Sequence, residues 1–168
     1  HMQTNLKLHQ KDGPLVIARG RDCRVTDDSG NEFIEAVAGL WCASLGFNSE
    51  RLAKVAYEQM KDLGYYHLYR HRSNEPAILL AEHLLKIAPV PMARVVFQCS
   101  GSEANDTAVK LAWYYWNAVG QPQRQKIIAR QQGYHGSTAT AVSLSGKPDM
   151  HAGFGLPFPQ FKHTEFPH

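Results

Sequence analysis

Short apolar runs broken by turn residues open the chain, and longer runs with helical spacing follow. Between Leu15 and Val37 the segments VIARG and CRVTD flank Gly20, and Asp28-Ser29-Gly30-Asn31 supplies turn chemistry before EFIEAV, so this region reads as strands. The loop AGLWCASLGFNS follows, with Ser49 as the expected N-cap of the next helix. Within Glu50–Leu63 the residues Leu52, Val55, Ala56, Met60 and Leu63 recur at helical spacing, which predicts a helix with one face packed inward and ended by Gly64. GYYHLYRHRSNEP has neither period. A second helix fits Glu75–Ala88, with Pro76 in its first turn and Pro89 and Pro91 as its stop.

From there short apolar strands and helices alternate. Ala93–Cys99 reads as a strand and Ser102–Val119 as a long helix punctuated by Gly120 and Pro122. Lys126–Arg130 reads as another strand, GYHGST as a loop and Ser137–Leu144 as a short helix. After Asp149 the Gly-, Pro- and Phe-rich text predicts loops. Such alternation from 75 to 145 argues for an α/β layer with parallel strands. No internal repeat is evident.

Composition narrows the function class. The 168 residues are 43% hydrophobic, enough for a real core. A net charge of +3, with no block of Lys or Arg, argues against a nucleic-acid partner. No apolar run approaches the ~20 residues of a membrane span. Three cysteines, Cys23, Cys42 and Cys99, show no CxxC spacing, so a reduced, cytoplasmic protein is expected. His1-Met2 has the form of a tag remnant, and the extended Pro-rich ending FPQFKHTEFPH suggests a chain that continues.

The densest chemistry sits in FQCSGSEAND, residues 97–106, between a predicted strand and a predicted helix. A helix N-terminus exposes unpaired N–H groups and the positive end of the helix dipole, and phosphate suits it. Gly101 lets backbone approach a ligand closely, and Ser100 and Ser102 add hydroxyl donors. The plainer reading is a capping turn, with Ser at the N-cap and an acid in the first turn. Neither GxxxxGK[ST], GxGxxG nor GxSxG is present, so these serines read as donors rather than nucleophiles. The loop QQGYHGST, residues 131–138, also follows a strand and precedes a helix, where ligands bind in open α/β sheets. Tyr134 could lay its ring on a planar ligand or simply anchor the loop, with His135 beside it. A cradle for phosphate and an aromatic shelf together suit a flat, phosphorylated cofactor.

FQCSGSEANDTAVKLAWYYW followed by IIARQQGYHGSTATAVSLSG resembles the class III aminotransferases, pyridoxal-phosphate enzymes of fold type I. Within that class the chain is most similar to the ω-amino acid:pyruvate, or amine, transaminases. AGLWCASLGF, GPLVIARG and LAEHLLKIAPVPMARVVF agree with the same family, and so does the opening HMQTNL, read then as native. The resemblance covers essentially the whole chain and implies the N-terminal part of the fold type I architecture. Residues 1–48 would belong to the small domain, and 49–168 to the first part of the large α/β domain that binds pyridoxal 5'-phosphate. It implies that Gly101 and Ser102 bind the cofactor phosphate, that Tyr134 stacks on the pyridine ring, and that Trp41 lines the substrate pocket. Tyr66 and Tyr69 would lie near the entrance across a dimer interface, in a homodimer or dimer of dimers. His135 is given no proton-transfer role. The Schiff-base lysine, the acid that pairs with the pyridine nitrogen and a threonine lent by a partner subunit would all lie beyond this chain, so no catalytic residue is assigned within it. Of the nine lysines, Lys110 stands nearest the cradle, yet eight helical residues are roughly 12 Å of rise, and it reads as a solvated charge.

The implied reaction moves an amino group from an ω-amino acid or primary amine to pyruvate. The alternatives are another class III activity (aminomutase or decarboxylase) or a catalytically silent piece that only binds or dimerises. His67 and His71, four apart but without HExxH, are assigned no metal. In the run Trp113-Tyr114-Tyr115-Trp116, Tyr115 continues an Ala104–Ala108–Leu111 stripe expected to face the core, and the rest is expected to meet another layer or subunit.

Overall fold

The computed structural model describes residues 5–167. The chain divides into two compact units, one running through Ile78 and the other beginning at Leu79. In the first, α1 (Leu6–Asp12) precedes β1 (Ile17–Arg21), β2 (Arg24–Asp27) and β3 (Glu32–Ile34), a kinked turn α2 (Ala38–Trp41) and α3 (Glu50–Leu63). Helix α4 (Glu75–Ile87) spans the junction. The second unit holds α5 (Gly101–Ala118), β4 (Ile127–Arg130), α6 (Ala139–Leu144), α7 (Pro148–His151) and β5 (Phe161–Thr164).

The first three strands form an antiparallel sheet in the order β1-β2-β3. Gly20 lies inside β1, opposite Val25, rather than between strands as expected; the reversal falls at Asp22-Cys23. Glycine is required at 20 because a Cβ there would stand 2.6 Å from that of Phe47. Asp27 organises the turn into β3: its carboxylate accepts from the amides of Ser29 (3.0 Å) and Asn31 (2.8 Å) and from Asn31 Nδ2 (2.9 Å). The Asn31 side chain, then these backbone donors, hold the Asp27 carboxyl below its ordinary pKa, with burial opposing them.

Helix α3 begins where expected, with Ser49 Oγ accepting from the Leu52 amide at 3.4 Å, and Gly64 follows it. Its apolar stripe does not pack inward: Leu52, Val55, Met60 and Leu63 are all exposed. Asn74 caps α4 through the Ala77 amide at 3.0 Å.

In the second unit β4 and β5 pair in parallel, Ile127 opposite Phe161 and Arg130 opposite Thr164, joined through α6 and α7 as a parallel crossover. Two expectations change here. Phe161–Thr164 was expected to be loop and is a strand. Ala93–Cys99 was expected to be a strand and is irregular, because it finds no pairing partner among the described residues. The core of the unit is Val109, Leu144 and Phe161, with Trp113, Ile127 and Ala129 packed against it. Ala104, Ala108, Leu111 and Tyr115 are exposed, so the inward face of α5 is not the stripe expected. It runs instead through Ser102, Asn105, Asp106, Val109, Ala112, Trp113 and Trp116. Trp113 donates its indole N–H to Gln125 O at 3.0 Å and meets Phe161, while Trp116 lies under the Arg124 guanidinium at 4.2 Å. An apolar groove of about 620 Å³ remains between α5 and the edge of β4 that β5 leaves open.

Candidate functional site

The start of α5 is built by Ser100. Its backbone is extended (φ −152°, ψ 161°), its carbonyl accepts from the Ala104 amide, and its Oγ accepts from the Glu103 amide at 3.2 Å. Two of the helix's leading N–H groups are thereby satisfied. The amides of Gly101 and Ser102 have no acceptor among the described residues. Nothing lies within 4 Å of where a Cβ on Gly101 would sit. The capping reading of the Ser-Gly-Ser turn falls on Ser100, while the Gly101 and Ser102 amides are not used by it.

The loop 131–138 is fixed on both flanks. Gln132 N donates to Gly146 O, Gly146 N to Gly133 O, and His135 N to Ser145 Oγ at 2.9 Å. From the other side α5 holds it through three residues of one face. Ser102 Oγ accepts from Ser137 N at 3.0 Å, Asn105 Nδ2 donates to His135 O at 2.6 Å, and Asp106 Oδ1 accepts from Thr138 Oγ1 at 2.7 Å. Gly136 is buried with φ +131°, and a Cβ there would collide with Ser102 Oγ and stand 2.8 Å from Ala141 Cβ. The Ser137 N–H occupies one lone pair of Ser102 Oγ, which leaves its hydroxyl proton for an acceptor outside the loop. Tyr134, 59% exposed, stands on this braced loop with its ring free to receive a flat partner.

Gly101 and Ser102, at the start of α5, and Tyr134, on the loop hydrogen-bonded to that helix, therefore all lie in the second unit. Trp41, Tyr66 and Tyr69 belong to the first unit. Trp41 is 79% exposed on a turn in which Ala38, Gly39, Leu40 and Trp41 all have positive φ. The Glu35 carboxylate accepts from the Val37 and Gly39 amides and so pins that turn. Tyr66 stacks on His67 and Tyr69 lies beside the Arg70 guanidinium, both rings exposed. No group of three metal-ligating side chains occurs among the described residues, and Lys110 is exposed. Asn105, Asp106, Gly136 and Thr138 were not singled out from sequence. The available signal was the i, i+3, i+4 spacing of Ser102, Asn105 and Asp106 on one helix face.

The second unit is thus an α/β layer in which two helix amides without acceptors among the described residues adjoin a braced loop that carries an exposed aromatic ring. The chain belongs to the class III aminotransferases: the family model Aminotransferase class-III matches residues 7–168. Enzymes of this class depend on pyridoxal phosphate, and the residues present fit it, with two unengaged amides at the start of α5 for the phosphate. The chain is similar to a gamma aminobutyrate transaminase from Solanum lycopersicum, at 48% identity over 92% of this chain and 30% of that protein. A vanillin aminotransferase from Capsicum frutescens is likewise 48% identical, over 92% of this chain and 34% of that one. Among solved structures, the omega transaminase from Pseudomonas jessenii in complex with PMP superposes with a TM-score of 0.97 at 52% identity, over 100% of this chain and 37% of that chain. The chain thus spans about a third of the length of the curated relatives it matches.

Proposed function

We propose that this chain is the cofactor-docking N-terminal part of an ω-transaminase that transfers an amino group from an ω-amino acid or primary amine to pyruvate. The observation that carries the reading is the pair of unengaged amides at Gly101 and Ser102, hydrogen-bonded through Ser102 Oγ to the loop that bears Tyr134. Gly101 and Ser102 hold the phosphate, with the helix dipole and the Ser102 hydroxyl adding to the amides. Tyr134 covers one face of the ring. Trp41 lines the substrate pocket, and its exposed placement on a left-handed turn supports that role, because strained backbone gathers at binding sites. The chemistry supplied by bound pyridoxal phosphate is that of an electron sink for proton removal next to the amine nitrogen. This chain's residues bind and orient, and the proton-transferring lysine is contributed by sequence outside it. Residues 1–48 fall to the small domain and 49–168 to the large one, in a cytoplasmic homodimer or dimer of dimers. Exposed, unpaired Cys23, Cys42 and Cys99 suit a reducing compartment.

The test is product analysis on the intact protein, given pyridoxal phosphate, pyruvate and a panel of ω-amino acids and primary amines. Amine-dependent alanine formation is expected. Decarboxylation or 1,2-amino migration without alanine would replace this reading with another class III activity.

A further inference from the structure

We infer that Asp106 and Thr138 are positioning residues that set the cofactor's ring shelf against its phosphate cradle, an inference that rests on the proposed transaminase reading. The two cofactor elements lie on separate stretches of chain, one at the start of α5 and the other between β4 and α6. A ligand that spans both feels any change in their separation, whereas a bare anion at the helix end does not. Three α5 side chains set that separation. Ser102 and Asn105 do so through the loop's backbone, at Ser137 N and His135 O. Asp106 does so through the Thr138 hydroxyl, at 2.7 Å with both partners partly buried, a short contact of the charge-assisted kind. Thr138 Oγ1 has a second duty: it accepts from the Ala141 amide at 3.2 Å and so caps α6 while donating to Asp106. A single hydroxyl therefore ties the start of α6, the end of the Tyr134 loop and the second turn of α5. The Asp106 carboxylate is engaged by Thr138, so its effect reaches the cofactor through this tie.

Capping and positioning make different forecasts. If Thr138 only caps α6, Thr138→Val harms the protein and Asp106→Ala does not. If the tie positions the shelf, both substitutions weaken pyridoxal-phosphate binding by about tenfold or more, the size expected for a hydrogen bond to a charged group. The double variant is then no worse than the more damaged single, since each removes the same bond. Thr138→Ser restores affinity. Inorganic phosphate, measured as a competitor of pyridoxal phosphate, keeps its inhibition constant in all variants, because it uses the helix end alone. The experiment is reconstitution of the intact apoprotein and these variants, with dissociation constants read from cofactor absorbance and visible circular dichroism. Apoprotein melting temperatures identify any variant that fails to fold, and Asp106→Asn, which keeps an acceptor in place, then stands in for Asp106→Ala with a smaller loss. Unchanged pyridoxal-phosphate affinity and dichroism in folded Asp106→Ala, or an equal loss of phosphate inhibition, overturns the inference. Failure of the unsubstituted protein to bind pyridoxal phosphate instead overturns the transaminase reading.

Discussion

Ser100 and Ser102 show how two identical side chains, two positions apart with Gly101 between them, divide labour. Ser100 Oγ faces back to the Glu103 amide, and Ser102 Oγ is held by Ser137 N. Substitution separates them. In the intact protein Ser102→Ala is expected to weaken pyridoxal-phosphate binding by roughly 1.5–3 kcal/mol, measured by apoprotein reconstitution, with the Ser137 amide left unpaired as well. Ser100→Ala should instead lower stability by about 1 kcal/mol through loss of an N-cap, seen in denaturant unfolding. Equal effects of the two substitutions on cofactor affinity would deny the division. The capping turn was legible in sequence because helix capping is local chemistry. Asp106 and Thr138 were not, since their hydrogen bond joins positions 32 residues apart and no local pattern encodes that distance.

Among the elements, those with strong local signals matched expectation and those that depend on partners did not. Helices α3, α4 and α5 were delimited by Ser49, Pro76 and Ser100–Gly101 chemistry within a residue or two. Helix α1, bracketed by the Asn5 side-chain cap and Gly13 at φ +72°, is one short stretch without a readable period. Ala93–Cys99 has strand composition but no paired edge, whereas FKHT, short and polar, becomes a strand because Ile127–Arg130 lies beside it. On α5 the expected stripe was wrong by about one position around the helix, because the inward face is chosen by Asn105, Asp106 and Val109, two of them polar. The turn between β2 and β3 carries a pH signature. Its Asp27 carboxyl is held below the ordinary 3.8 by Asn31. A depressed folded-state pKa means that the stabilisation is present above the unfolded value and is lost as pH falls through the folded value. Acid titration should therefore show this aspartate protonating below 3.8 by carbon-13 chemical shift, and Asn31→Ala should move that midpoint upward. A midpoint at or above the ordinary value in the unsubstituted protein would contradict the turn as described.

At the scale of the whole molecule, the described residues leave apolar faces uncovered. The groove between α5 and the open edge of β4 is apolar, and Ile128 there is 72% exposed. The α3 stripe is exposed too. Relatives about three times as long have further sequence with which to cover such faces. Alone, the 168-residue chain is expected to give no amine-dependent alanine from pyruvate and no borohydride-trappable cofactor on a lysine, since the proposed reading puts the Schiff-base lysine in sequence outside it. Turnover by the purified chain would overturn that assignment. The central claim is where the cofactor's anion sits. A crystal structure of the intact protein with pyridoxal phosphate measures it directly: the phosphate oxygens should lie at about 2.7–3.2 Å from the amide nitrogens of Gly101 and Ser102. A phosphate bound elsewhere, with those two amides facing only solvent, would contradict the account.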